Sequence, residues 1–249
     1  KVHRYRFPFQ DTTIERALGL RDPKTKKPTG DLHAIDYEAL TIDLKRGPSL
    51  ADAPHPTALV PYDIINAKAM RESLLQLGGW VADHGIEGDG SYAAARDLLL
   101  LRAPRLKQGG LPDFEHLPSL ESAKQIALLL DRTVLPIQGP PGSGKTFTGA
   151  HMIVELIKKG KKVGVTAVSH KVISNLLKET CKAAAEQKVD LKILQRCDGD
   201  DGYKHDFVKS AKGNPLVDKA LANNEAQIVA GTVWLWARPE MANAVDVLF

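Results

Sequence analysis

Eight consecutive residues, Gly139-Pro140-Pro141-Gly142-Ser143-Gly144-Lys145-Thr146, fill every position of the phosphate-binding pattern G-x-x-x-x-G-K-[ST]. The chemistry this spacing serves is the cradling of a nucleoside triphosphate. Its glycines let the backbone curl until successive N–H groups point at phosphate oxygens, and the positive end of a following helix faces the same charge. In such a loop Lys145 reaches the β- and γ-phosphates and Thr146 ligates Mg²⁺.

A loop of this kind sits between a strand and a helix, and both flanks have the required pattern. Residues 133–138 read as a short buried strand and 147–159 as an amphipathic helix. Around them the chain alternates: a helix over 120–130, a buried strand over 162–168, a helix over 172–186, and strands near 191–194 and 227–230. Repeated β–α units predict an α/β domain whose parallel sheet is covered by helices on both faces. The polar, glycine-spotted stretch 198–224 reads as an irregular insertion with short helices. Its Asp198-Gly199-Asp200-Asp201-Gly202 is no calcium loop, because the glycine at the sixth position and the glutamate at the twelfth are missing.

Upstream the pattern changes. Residues 1–47 are strand-like, with Val2-His3-Arg4-Tyr5-Arg6-Phe7 alternating and a basic turn at 22–30, which predicts a small barrel-like unit or sheet. Its alternating basic residues read as the solvated face of an antiparallel sheet. Prolines 48, 54, 56 and 61 mark a linker. Helical periodicity over 62–82 and 92–102, interrupted by the glycines of 85–90, predicts a helical hairpin or stalk packed through Leu74, Leu75, Leu77 and Trp80. A second punctuated stretch, 109–118, leads into the nucleotide part. The expected division is therefore 1–47, an accessory β unit; 48–118, linker and stalk; and 119–249, the nucleotide-binding domain.

Composition sets outer limits. Of 249 residues 43% are hydrophobic and 26% charged, enough apolar content for a substantial core, and the net charge of +4 permits a nucleic-acid partner without demanding one. Cys181 and Cys197 fit no metal-ligand or redox spacing and read as reduced thiols of a cytoplasmic protein. The leucine run 98–101 is closed off by Arg102 and Pro104, so no membrane span is expected, and no secretory signal is recognisable. A start on Lys1 inside a strand pattern and an end inside the apolar run 245–249 read as those of a fragment.

Three further stretches resemble superfamily 1 helicases, in particular the branch containing the Up-frameshift-type helicases and their bacterial relatives. That branch writes the phosphate loop (Walker A) G-P-P-G-T-G-K-T, which 139–146 matches apart from Ser143. Ser122-Ala123-Lys124-Gln125 is similar to its Q motif, in which the glutamine amide grips the adenine edge. Thr166-Ala167-Val168-Ser169-His170-Lys171-Val172-Ile173 resembles motif Ia, A-P-S-N-x-A-V, with His170 where asparagine is usual and Val168 in place of proline. Ala230-Gly231-Thr232-Val233-Trp234-Leu235-Trp236-Ala237 is similar to motif Ic.

The resemblance implies a RecA-like ATPase fold, ATP and Mg²⁺ as cofactors, adenine recognition by Gln125, and nucleic-acid backbone contacts by Ser169, His170 and Thr232. Ser169 is equally suited to cap the helix that follows, and Trp234 and Trp236 fit either core or base stacking. The implied partners are single-stranded nucleic acid, with DNA favoured over RNA, and a second RecA-like domain of the same parent chain. The Ser169-His170-Lys171 triplet in motif Ia together with the tryptophan-containing motif Ic is, more narrowly, similar to bacterial helicases that follow a RecB-type nuclease domain. The family's Asp-Glu pair after an apolar strand would follow 245–249, so these residues alone are expected to bind nucleotide weakly and hydrolyse it negligibly. The competing reading is a P-loop ATPase switch that remodels a protein partner without unwinding anything. A small-molecule kinase is disfavoured by the long leader and the missing lid.

Overall fold

The computed structural model describes residues 1–249 except 13, 18, 63–65, 108–118 and 199–200. The chain divides into two compact units, Lys1–Asn66 and Ala67–Phe249. The first holds strands β1 (Val2–Arg6), β2 (Leu20–Arg21), β3 (Asp31–Asp36), β4 (Thr41–Lys45) and β5 (Val60–Pro61). Their order is β1-β4-β3 in an antiparallel sheet, with β2 and β5 paired as a separate ribbon. Period-two alternation buries one face, and Ile14, Leu20, Ile42 and Leu44 form its small core. The basic residues of β1 are partly spent within the sheet. Arg4, opposite Asp43 in register, donates two hydrogen bonds of 2.8 Å to its carboxylate.

The second unit begins with helices α1 (Lys68–His84), α2 (Ala93–Leu99) and α3 (Ser119–Leu129). It continues through α4 (Lys145–Lys158), β6 (Val163–Val165), α5 (His170–Glu186), β7 (Ile193–Arg196), β8 (Val208–Ala211), α6 (Asn214–Ala222), β9 (Ile228–Ala230), α7 (Val233–Trp236) and β10 (Val247–Leu248). The five strands form one parallel sheet of order β10-β6-β9-β7-β8, the α/β architecture that the β–α alternation predicts.

Alternation along each strand feeds two cores. Val163, Val165, Ile193, Ile228 and Ala230 point to the side covered by α4 and α5, where Ile153, Val154, Ile173 and Leu177 meet them. Val229 and Ala211 point the other way and pack with Val217 and Ala220 of α6 and with Leu235 and Met241. Helix α4 buries Ala150, Ile153, Val154 and Ile157, the i, i+3, i+4, i+7 stripe of a helix lying on a sheet. Ile153, Val154 and Ile157 each contribute about 2 kcal/mol on burial. Beyond Lys158 the chain returns tightly: the Lys161 N–H donates to the Leu156 carbonyl at 3.0 Å, and β6 follows at once. Helix α4 therefore runs antiparallel to β6, and its first residue lies at the carboxyl edge of the sheet.

Three expectations need correction. Residues 133–138 form no strand; Pro136, mid-run, has no N–H to give a ladder. The stretch 198–224 is not an irregular insertion, because β8 and α6 add a parallel β–α unit to the sheet. The signal was present in Pro215 at the helix start followed by apolar residues at 216, 217, 220 and 221. Finally, Leu74 and Leu75 are 68% and 67% exposed, not packed. The half-buried stripe of α1 runs through Met70, Ser73, Leu77, Trp80 and Val81, and the helical period leaves the two leucines off it. The punctuated stretch 109–118 lies outside the described residues. Among the described residues no helix is long and apolar enough to cross a membrane.

Candidate nucleotide site

The glycine-rich loop leads directly into α4, whose first helical residue is Lys145. Gly142 and Gly144 have φ of 80° and 83°, the left-handed region in which a side chain would be strained. At Gly139 the constraint is space: a Cβ there would collide with Oγ of Ser143. The loop closes on itself through the Ser143 N–H, which donates to the Pro140 carbonyl at 3.2 Å. Lys145 folds back over it. Its Nζ donates to the carbonyl oxygens of Gly139 and Pro140, the latter at 2.8 Å, and to Oγ of Ser143 at 3.4 Å. Residues Pro140 to Thr146 are all exposed.

An exposed curled backbone, the N-terminus of a fourteen-residue helix and a flexible ammonium thus converge on one spot. Such an arrangement suits a ligand with several anionic oxygens. The exposed Thr146 hydroxyl adds an oxygen donor of the kind Mg²⁺ takes.

The candidate nucleic-acid residues share the same edge of the sheet. Ser169 follows β6 and caps α5, its Oγ accepting from the Val172 N–H at 3.4 Å. Thr232 follows the neighbouring strand β9 and precedes α7, with no side-chain capping bond. Because β6 and β9 are parallel and adjacent, both residues stand at the carboxyl edge where α4 begins. Between β6 and Ser169, Val168 is 91% exposed. Two polar atoms beside it, Oγ1 of Thr166 and Nδ1 of His170, are buried without a hydrogen-bond partner. Thr166 lies inside the stretch that resembles motif Ia. Its signal is position, a hydroxyl one residue past an apolar strand.

Helix α3 turns Ala123, Ala127 and Leu128 to the core shared with α4, and Gln125 is exposed on another side.

The chain is similar to regulator of nonsense transcripts 1. It is 33% identical over 108 residues to the Drosophila melanogaster homolog, covering 42% of this chain and 8% of that protein. The putative regulator of nonsense transcripts 1 of Takifugu rubripes is 32% identical over 94 residues, 37% of this chain and 8% of that protein. DNA-binding protein SMUBP-2 of Mesocricetus auratus is 33% identical over 114 residues, 45% of this chain and 10% of that protein. The chain therefore spans a tenth or less of the length of these relatives. No family model matches it.

Two neighbouring groups have structural duties. Trp236 lies over β6 and donates its indole N–H to the Val165 carbonyl at 3.2 Å, which makes it a sheet-face residue. Asp246, just before β10, accepts the Lys162 N–H at 2.8 Å and the Lys161 ammonium at 3.2 Å, at the amino edge away from the loop. Those bonds hold its carboxyl below the usual carboxylate range. Among the described residues no cluster of three or more His, Cys, Asp or Glu side chains is arranged to hold a metal.

Proposed function

We propose that these residues are the ATP-binding N-terminal motor portion of a superfamily 1 helicase, which moves along single-stranded nucleic acid in the full-length protein. The observation that carries this reading is the loop 139–146 at the head of α4, exposed from Pro140 to Thr146 with Lys145 folded over it, on the same sheet edge as Ser169, His170 and Thr232. Similarity to regulator of nonsense transcripts 1 and to a DNA-binding protein, members of the helicase superfamily that the motifs resemble, supports it. In this reading 119–249 is the RecA-like ATP-binding domain, 1–47 its accessory β unit and 48–118 the linker and stalk.

Each residue then has a distinct task. Backbone N–H groups of 142–146 take the phosphate oxygens, Lys145 exchanges its carbonyl partners for the β- and γ-phosphates, and Thr146 ligates Mg²⁺. The bound Mg²⁺ supplies neutralisation of the charge that builds up on the phosphate oxygens during hydrolysis. The Gln125 side-chain amide reads the adenine edge with one donor and one acceptor. Ser169, His170 and Thr232 hold the nucleic-acid backbone, which base-independent movement requires. DNA is the favoured track, in line with the DNA-binding relative.

The test is ATPase activity of the full-length protein with and without single-stranded DNA or RNA, beside Lys145→Ala. The expected result is stimulation by one polymer and loss of about 100-fold or more in the variant, as for removal of a group that meets the transferring phosphate. Turnover that neither polymer stimulates would move the assignment to a switch acting on a protein partner.

A further inference from the structure

Asp97 is a carboxylate that bonds the run leading to the loop rather than the loop itself. It lies on α2, 1% exposed, and its two oxygens serve different partners. Oδ1 accepts from the Arg105 guanidinium at 2.8 Å, and Oδ2 accepts from the Thr133 hydroxyl at 2.9 Å. Arg105 carries the grip one residue further, donating to the Arg132 carbonyl at 2.6 Å. One acid–base pair therefore holds two consecutive residues, 132 and 133, at the point where the chain leaves α3 for the loop.

That point is strained. Arg132 has φ of 46°, the left-handed region where a non-glycine residue is held only by its surroundings. The backbone beside it is fixed as well, because the Asp131 N–H donates to the Arg105 carbonyl at 3.0 Å and Leu106 bridges Leu130. Downstream, 133–138 form no strand, so no ladder sets the position of this run before it reaches Gly139. Its course must be set by its upstream anchor and by Leu135, which packs against the core.

The residue before Asp97 faces another task. Arg96, 4% exposed, donates to the carbonyls of Ser91, Ile86 and Gly88, and stacks its guanidinium 4.4 Å from the Trp80 ring centre. Two adjacent side chains of α2 thus fasten the α1–α2 hairpin on one side and the approach to the loop on the other.

We propose that Asp97 is a positioning residue for the phosphate loop, acting through Thr133 and Arg105 to fix where the run 133–138 enters it. The inference rests on the nucleotide reading of the preceding subsection. The test compares Thr133→Val, close in shape but without the hydroxyl, with the wild type and with Thr133→Ser in the full-length protein. Amide hydrogen exchange over 134–144 and affinity for a fluorescent ATP analogue with Mg²⁺ are the readouts, with the melting temperature as the control for folding. Thr133→Val should speed exchange over 134–144 and weaken nucleotide binding about tenfold, the loss expected of a hydrogen bond to a charged group, while Thr133→Ser restores both.

Arg105→Met, which alters a side chain 42% exposed, is the second variant should Thr133→Val fail to fold, and it should change both readouts in the same direction. A wild type that binds the analogue while neither variant loses affinity overturns the inference alone. Faster exchange without loss of affinity overturns it equally. A wild type that takes up no nucleotide overturns the proposed function and the inference with it.

Discussion

Cys181 shows how burial alone decides the chemistry of a side chain. It is 1% exposed on the sheet-facing side of α5, and burial pushes its thiol up to about 11. The folded chain favours the protonated form. The stabilisation that follows is complete below the unfolded thiol's value of about 8.5 and is lost as pH rises toward 11. Melting temperatures measured between pH 7 and pH 11 should therefore fall on the alkaline side, and Cys181→Ala should flatten that fall. An unchanged alkaline limb in the variant would assign the decline to other groups. The same protonation makes the thiol inert, so native protein should react with iodoacetamide about 100-fold more slowly than unfolded protein. At this scale the sequence was most readable where a residue type has one use. The left-handed φ of Gly142 and Gly144 was legible from spacing alone, because few other backbones need that order. A glutamine on a helix takes its meaning from the face it occupies, and Gln125 is exposed, off the α4-facing side of α3.

At the scale of elements, β6 is the strand on which the others depend. Gly164 sits at its centre because Trp236 crosses directly above: a Cβ there would meet that indole and would lie 2.7 Å from Cδ1 of Leu248. Gly164→Ala should cost about 1–3 kcal/mol, as overpacked cores do, and should shift tryptophan emission along with the melting temperature. A variant that melts like the wild type would mean that Trp236 does not rest on the strand. The pairing of β10 with β6 has its own pH dependence. Asp246 is ionised more readily in the fold than in the unfolded chain, so its stabilisation is complete above about pH 4 and disappears as pH falls through its depressed value. Asp246→Asn should reduce the acid sensitivity of the melting temperature, by a modest amount given that the side chain is 41% exposed.

Elements with continuous apolar runs, such as Val163-Gly164-Val165 and Ile228-Val229-Ala230, could be read directly. Strand β8 could not: Val208-Lys209-Ser210-Ala211 lies at the sheet edge, where pairing on one side asks for little apolar surface. The false strand at 133–138 failed for the opposite reason. Its composition is apolar enough for a sheet, but packing of Leu135 and the grip on Thr133 use that content without a ladder.

At the scale of the whole molecule, every partner described for Lys145, Ser169, Thr133 and Asp97 lies within Ala67–Phe249. Residues 67–249 produced alone should thus take up nucleotide with an affinity within about threefold of the full 249-residue chain, the spread expected when no direct contact is removed. Isothermal titration of both species decides it, and a loss of binding on removal of 1–66 would give the first unit a part in the site. Parallel topology was legible at this scale because β–α alternation admits few alternatives.

The two-sided sheet also limits how the chain can change in length. Ile228 and Ala230 serve one core and Val229 the other, so adding or removing a single residue within β9 would exchange the linings of both cores at once. Substitutions of similar volume are absorbed inside the strands, whereas insertions are confined to the connections between them. The loop 139–146, itself a connection, is bounded by α4 on one side, and the run that leads into it is held at Thr133 by Asp97 on the other.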